Sequence, residues 1–95
     1  MRTLSFRVTG LVQHVWFRGW THMAAQDLGL SGWVRNLPDG SVAGQAQGPQ
    51  SGDCDSLLER FVELLHQGPP SARVARVEAE YFDLPERFEG FTVRR

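Results

Sequence analysis

The sequence predicts an α+β fold, a two-layer sandwich in which two helices cover one face of an antiparallel sheet. Three observations point there. Apolar residues alternate with polar ones in several short blocks, they recur at three-and-four spacing in two longer blocks, and Gly or Pro stands at most of the junctions. With 95 residues, a single domain spanning 1–95 is expected, because one compact unit takes roughly 100 to 200 residues.

Leu4, Phe6 and Val8 alternate with Ser5, Arg7 and Thr9, the period of a half-buried strand, and Gly10 reads as its end. After a loop from Leu11 to Trp16, the spacing of Phe17, Trp20, Ala24 and Leu28 turns helical. That predicts a helix starting near Arg18 and closed by Gly29. Gly32 to Asn36, with Trp33 and Val34, reads as a second strand, and Leu37-Pro38-Asp39-Gly40 as the turn to its hairpin partner, Val42 to Gln47. One face of that partner carries only Val42, Gly44 and Ala46. Something larger must therefore pack over it.

Leu57, Leu58, Phe61, Val62, Leu64 and Leu65 form the apolar stripe of a second helix. Ser56 with Glu59, or Asp53, can cap its start, and Gly68-Pro69-Pro70 stops it. Val74 to Tyr81 alternates again, and a short Phe91-Thr92-Val93 strand follows a polar loop. The order is βαββαβ with a short fifth strand, which is the ferredoxin-like arrangement.

Composition removes several function classes. The chain is 41% hydrophobic and 22% charged, ordinary for a globular protein and wrong for a disordered one. Ten basic against eleven acidic residues leave a net charge of -1, so no bulk field holds a nucleic acid or an anionic membrane, and neither is expected as a partner. All ten basic residues are Arg, which excludes Schiff-base chemistry and the lysine of a Walker-type phosphate loop. The absence of Lys and Ile and the single Asn, Asn36, fit the codon bias of a GC-rich genome. The lone Cys54 has no disulfide partner within the chain. No apolar run approaches the roughly 20 residues of a membrane span. The alternating N-terminus lacks the apolar block of a signal peptide, so a cytoplasmic protein is the expectation.

The segment from Gly10 to Arg18 has the most chemical content. A strand ends, a loop follows, and a helix begins with an Arg, so loop amides and the helix dipole can converge on one anion while a guanidinium clamps two of its oxygens. On geometry alone, an ordinary surface Arg at a helix start fits the pattern as well. The residues themselves say more. Gly10-Leu11-Val12-Gln13-His14-Val15-Trp16-Phe17-Arg18 resembles the acylphosphatase signature G-x-V-Q-G-V-x-F-R. Gly32-Trp33-Val34-Arg35-Asn36, followed by Pro38-Asp39-Gly40, is similar to that family's G-W-V-x-N hairpin. Gly44 to Pro49 and the Gly68-Pro69-Pro70 stop are also similar, so the resemblance covers nearly the whole chain, and two separated motifs are far more specific than one.

The resemblance implies a monomeric enzyme without metal or other cofactor that hydrolyses the carboxyl-phosphate bond of small acyl phosphates. It assigns Arg18 to the phosphoryl group and Asn36 to the attacking water. Gly10, Leu11, Val12, Gln13, His14, Val15, Trp16 and Phe17 then form the phosphate-binding loop. The implied chemistry is physically coherent. The leaving carboxylate is stable as an anion and needs no general acid, and a loose phosphoryl transition state asks mostly for positioning and charge stabilisation. A neutral amide can accept a hydrogen bond from water and donate one to phosphate.

One position departs from the signature: His14 stands where the family has Gly. If the loop needs positive φ there, the side chain costs roughly 1 to 2 kcal/mol. The imidazole then points to solvent, blocks the pocket, or adds positive charge below about pH 6.5. Trp16 occupies the variable position, where it either shapes the acyl side of the pocket or packs on the loop.

Rival readings are weaker. Cys54 and Arg60 match the C-x5-R spacing of cysteine phosphatases, but no Gly lies between them. Leu57 and Leu58 belong to a helical stripe, and Asp53 and Asp55 disfavour a thiolate. His22 and His66 with Cys54 make no metal-site spacing. An RNA-recognition module shares the βαββαβ order but stacks bases on aromatics that Val42 to Gln47 does not contain. A non-catalytic module that binds anions or partners, with His14 replacing the motif Gly, is the alternative kept. The acylphosphatase-like domain at the start of large carbamoyl-transfer maturation proteins is set aside, because the chain ends at Arg95.

Overall fold

The protein is described by a computed structural model covering residues 1–49 and 53–95. Its elements are β1 (Arg2–Leu11), α1 (Phe17–Asp27), β2 (Ser31–Asn36), β3 (Val42–Gln47), α2 (Cys54–Gln67), β4 (Arg73–Asp83) and β5 (Phe91–Arg94). The alternating blocks assemble into one sheet of order β4-β1-β3-β2-β5. β1 pairs antiparallel with β3 and β4, and β2 pairs antiparallel with β3, as expected of a ferredoxin-like sandwich. The short fifth strand joins β2 in parallel and makes the sheet mixed. Such a pairing requires a long connection, and β3, α2 and β4 intervene between the two strands.

β1 does not stop at Gly10. It runs on to Leu11, with a register shift between Thr9 and Gly10. Gly10 has φ 125°, and a Cβ there would stand 2.7 Å from the amide nitrogen of Ala75. Gly10 therefore sits at an irregularity that lets β4 approach closely, rather than at a strand end.

The core forms between the helices and the sheet face carrying Leu4, Phe6 and Val8, all buried. Their register neighbours on β3 are Ala46, Gly44 and Val42. The larger group that β3 needs is the Phe6 ring, which lies over Gly44 so closely that a Cβ would come within 3.1 Å of Phe6 Cε1. From α2, Leu58, Phe61 and Leu65 are fully buried. Phe61 meets Phe6 edge-on at 5.5 Å and Phe91 at 6.2 Å, so aromatic contacts join α2 to the sheet centre and to β5.

Helix ends follow the sequence signals. The Asp53 carboxylate accepts hydrogen bonds from Ser56 N at 3.1 Å and Ser56 Oγ at 2.7 Å, capping α2. Gly68, at φ 67°, donates its N–H to Leu64 O at the other end. α1 differs, since no side chain caps its start and the preceding residue, Trp16, is left-handed. Gln47 is fully buried and satisfied: Nε2 donates to Thr3 Oγ1 and Glu86 O, and Oε1 accepts from Phe88 N. These bonds tie the segment before β5 to the sheet and so help to place β5 beside β2.

Candidate active site

Between β1 and α1 the sign of φ alternates. His14 has φ 64° and Trp16 has φ 62°, while Gln13, Val15 and Phe17 are not left-handed. Alternation of this kind turns successive backbone N–H groups toward a common concave side, the geometry of an anion nest. It ends at the uncapped start of α1, where the helix dipole adds positive potential. His14 takes the left-handed conformation despite its Cβ, at a cost of roughly 1 to 2 kcal/mol. Its side chain is exposed.

Gln13 fastens this loop to the β2–β3 hairpin. Its Nε2 donates to Leu37 O at 2.8 Å and to Ser41 O at 2.9 Å, reaching both sides of the turn. The turn is closed by Leu37 N to Ser41 O at 2.8 Å. The Asp39 carboxylate accepts from Ser41 N at 3.0 Å and Ser41 Oγ at 2.6 Å, and it pairs with the Arg7 guanidinium. The Ser41 hydroxyl and amide, with a smaller contribution from Arg7, hold the Asp39 carboxyl below the usual carboxylate range.

This hairpin presents Asn36, the last residue of β2, opposite Val42. Asn36 Oδ1 is buried and accepts no hydrogen bond from the protein. Arg18 stands on the first turn of α1, and its Nη1 donates to Arg94 O at 3.1 Å. The carbonyl at the end of β5 therefore helps to orient the guanidinium. Arg18 and Asn36, 18 positions apart in sequence, line one cavity of about 250 Å³. His14 and Arg95 add polar and charged groups to it, and Val12, Trp16, Phe17 and Val93 its apolar wall.

The expected loop residues divide into those at the cavity and those behind it. Val12, His14, Trp16 and Phe17 line it. Gly10 and Leu11 lie in β1, paired with Val74 and Arg73. The Gln13 side chain holds the hairpin, and Val15 packs against the core. Sequence reasoning missed Gly19, Val93, Arg95 and the Arg94 carbonyl. No local motif marks them, and only the parallel register that sets Val93 beside Val34 would have revealed the last three.

The rival constellations stay apart from this cavity. Arg60 is exposed, bonds Glu63 Oε2 at 3.2 Å, and borders a separate groove between the helices with Trp20 and Met23. His22 lies near the Phe91 ring, and His66 is exposed in the last turn of α2. Among the described residues no three His, Cys, Asp or Glu side chains gather as a metal-holding group, and no helix is long and apolar enough to cross a membrane.

A sequence model of the family described as acylphosphatase matches residues 4–93. The chain belongs to the acylphosphatase family. The acylphosphatase of Salinibacter ruber is 45% identical over 94 residues, covering 99% of this chain and 94% of the relative. That of Haloarcula marismortui is 47% identical over 87 residues, covering 92% and 89%. The crystal structure of acylphosphatase from Bacillus subtilis superposes with a TM-score of 0.90 at 32% identity, each chain covered completely. An acylphosphatase must hold a phosphoryl group beside a carboxyl carbon, and the cavity sets a left-handed loop and an arginine beside an apolar wall.

Proposed function

We propose that this acylphosphatase cleaves the carboxyl-phosphate bond of small acyl phosphates, with Arg18 and the loop amides binding the phosphoryl group and Asn36 orienting the attacking water. The observation that carries the proposal is convergence. Two residues from separate motifs, Arg18 and Asn36, face the same cavity as the loop whose φ alternates in sign.

In the proposed reaction the phosphoryl oxygens lie against the loop amides and the Arg18 fork, which spread and neutralise charge as the bond to the carboxylate loosens. The Asn36 amide, at the cavity wall, accepts a hydrogen bond from water through its oxygen and sets the water's lone pair toward phosphorus. Water oxygen bonds to phosphorus, the P–O bond to the acyl group breaks, and its electron pair leaves with the carboxylate. A substrate oxygen takes the water's proton, so neither a side-chain base nor a general acid is required. All these groups come from one chain, so the proposed reaction needs no residue from a second copy.

The test is hydrolysis of an acyl phosphate by the wild type and by Arg18→Ala, each with and without a chelator. We expect turnover that is insensitive to the chelator and lost in the variant. No hydrolysis by a wild-type protein that still binds phosphate would move the function to anion binding alone. Cys54→Ala should retain activity, and its loss would revive the thiolate mechanism.

A further inference from the structure

The cavity has both charged and apolar lining residues, and its apolar lining has an unusual construction. Trp16 is 61% exposed although it is the largest side chain at the site, and Val93 beside the same cavity is 43% exposed. The indole has a seat. Gly19 lies inside α1, where Gly lowers helix stability relative to nearly any other residue. A Cβ at Gly19 would collide with three atoms of the Trp16 indole, Nε1, Cε2 and Cδ1, the last at 2.8 Å. The ring therefore rests on bare helix backbone that only Gly leaves open.

From this arrangement we propose that the Trp16–Gly19 pair is a specificity wall that selects acyl phosphates with aromatic or bulky apolar acyl groups over acetyl phosphate. The inference rests on the reaction proposed above and names the substrate class for the same cavity. If Arg18, the loop and Asn36 hold the phosphoryl end, the acyl group extends toward Trp16 and Val93. There a ring can stack on the indole and leave water, whereas an acetyl group has only one methyl to bury. An indole fixed against backbone loses little freedom on binding, which is what makes an exposed aromatic an efficient contact surface.

The experiment compares kcat and KM for benzoyl phosphate and acetyl phosphate in the wild type, Trp16→Gly, Trp16→Phe and Gly19→Ala. Trp16→Gly removes the ring while keeping a residue at ease with φ 62°. The expected result is a fall of about tenfold in the benzoyl-to-acetyl ratio of kcat/KM, carried mainly by KM for benzoyl phosphate. Trp16→Phe should restore most of that ratio. Gly19→Ala, which displaces the indole without deleting it, should lower the ratio in the same direction. An equal fall for both substrates would make Trp16 a structural loop residue and overturn the proposal. An unchanged ratio in Gly19→Ala beside a lowered one in Trp16→Gly would overturn the role of the seat. A wild type that hydrolyses neither compound would instead refute the reaction on which the inference rests.

Discussion

The loop before α1 and the β2–β3 hairpin meet at one cavity but contribute to it in opposite ways. In the proposed reaction the loop binds phosphate through its backbone, by the alternation of φ, and the side chains at its two left-handed positions, His14 and Trp16, are bulky where conformational ease favours Gly. The hairpin contributes one side chain, Asn36, held by a turn whose hydrogen bonds are made by Leu37, Asp39, Gly40 and Ser41. Phosphate binding by backbone amides tolerates changes of side chain as long as φ survives. If Asn36 has the proposed role, that contribution tolerates almost no change at Asn36 itself, but many changes around it.

Several measurements would break or sharpen this contrast. The largest effect is expected where side chains meet substrate. Arg18→Ala should lower kcat/KM by about 10³-fold or more and weaken inhibition by inorganic phosphate. Asn36→Ala should lower kcat by about 10²-fold with phosphate inhibition retained. If Asn36→Ala stays within a few-fold of wild type, its role in orienting water is refuted.

Gln13→Ala tests the joint between the two regions. It removes two hydrogen bonds to Leu37 O and Ser41 O, and the loss should be about 1 to 3 kcal/mol in denaturant unfolding. Turnover should drop several-fold, because loop and hairpin are no longer in fixed register. Full activity would show that each region holds its place alone.

His14→Gly should affect stability more than rate. Removing the Cβ at φ 64° relieves roughly 1 kcal/mol, a gain of about 4 °C or more in Tm for a domain of this size. The rate should stay within a few-fold, since the backbone path is kept. Comparing pH-rate curves of the two proteins between pH 5 and 8 isolates any contribution of the imidazole charge. His14→Val should move stability the other way, because a β-branched residue is least at ease in that conformation.

The smallest expected effect concerns the turn. The Asp39 carboxyl has its pKa lowered by Ser41 and Arg7, so the stability it contributes is present above the ordinary carboxylate value and is lost as pH falls through its lowered value. Thermal melts should show a wild type that loses stability in that acid window and an Asp39→Asn variant that loses less there. The variant should be slightly less stable near neutrality, and identical acid limbs would remove the carboxylate from the account.

Much of this was legible in the chain. Leu4, Phe6 and Val8 announced β1, the stripe from Leu57 to Leu65 announced α2, and Gly29 and Gly68 stand at the helix ends as their spacing required. The two motifs named Arg18 and Asn36, which the fold brings to one cavity. Gly10 was misread as a strand end because a Gly that permits a bulge and a Gly that ends a strand look the same in one dimension. The C-terminal residues Val93 to Arg95 were invisible as site residues, because a four-residue strand carries no pattern that names its neighbour.

By itself, then, the sequence determined the elements, the order in which they occur and the residue types available for phosphate chemistry: arginines only, and a single asparagine. Those properties are local, written in periodicity, capping residues and motif spacing. Tertiary structure alone decided the parallel pairing of β5 with β2, the clamp from Gln13 across the turn, the support of Arg18 by the Arg94 carbonyl, and the seat of Trp16 on Gly19. Each depends on atoms from segments joined through the packed core, or on which side of a backbone lies bare, and periodicity encodes neither.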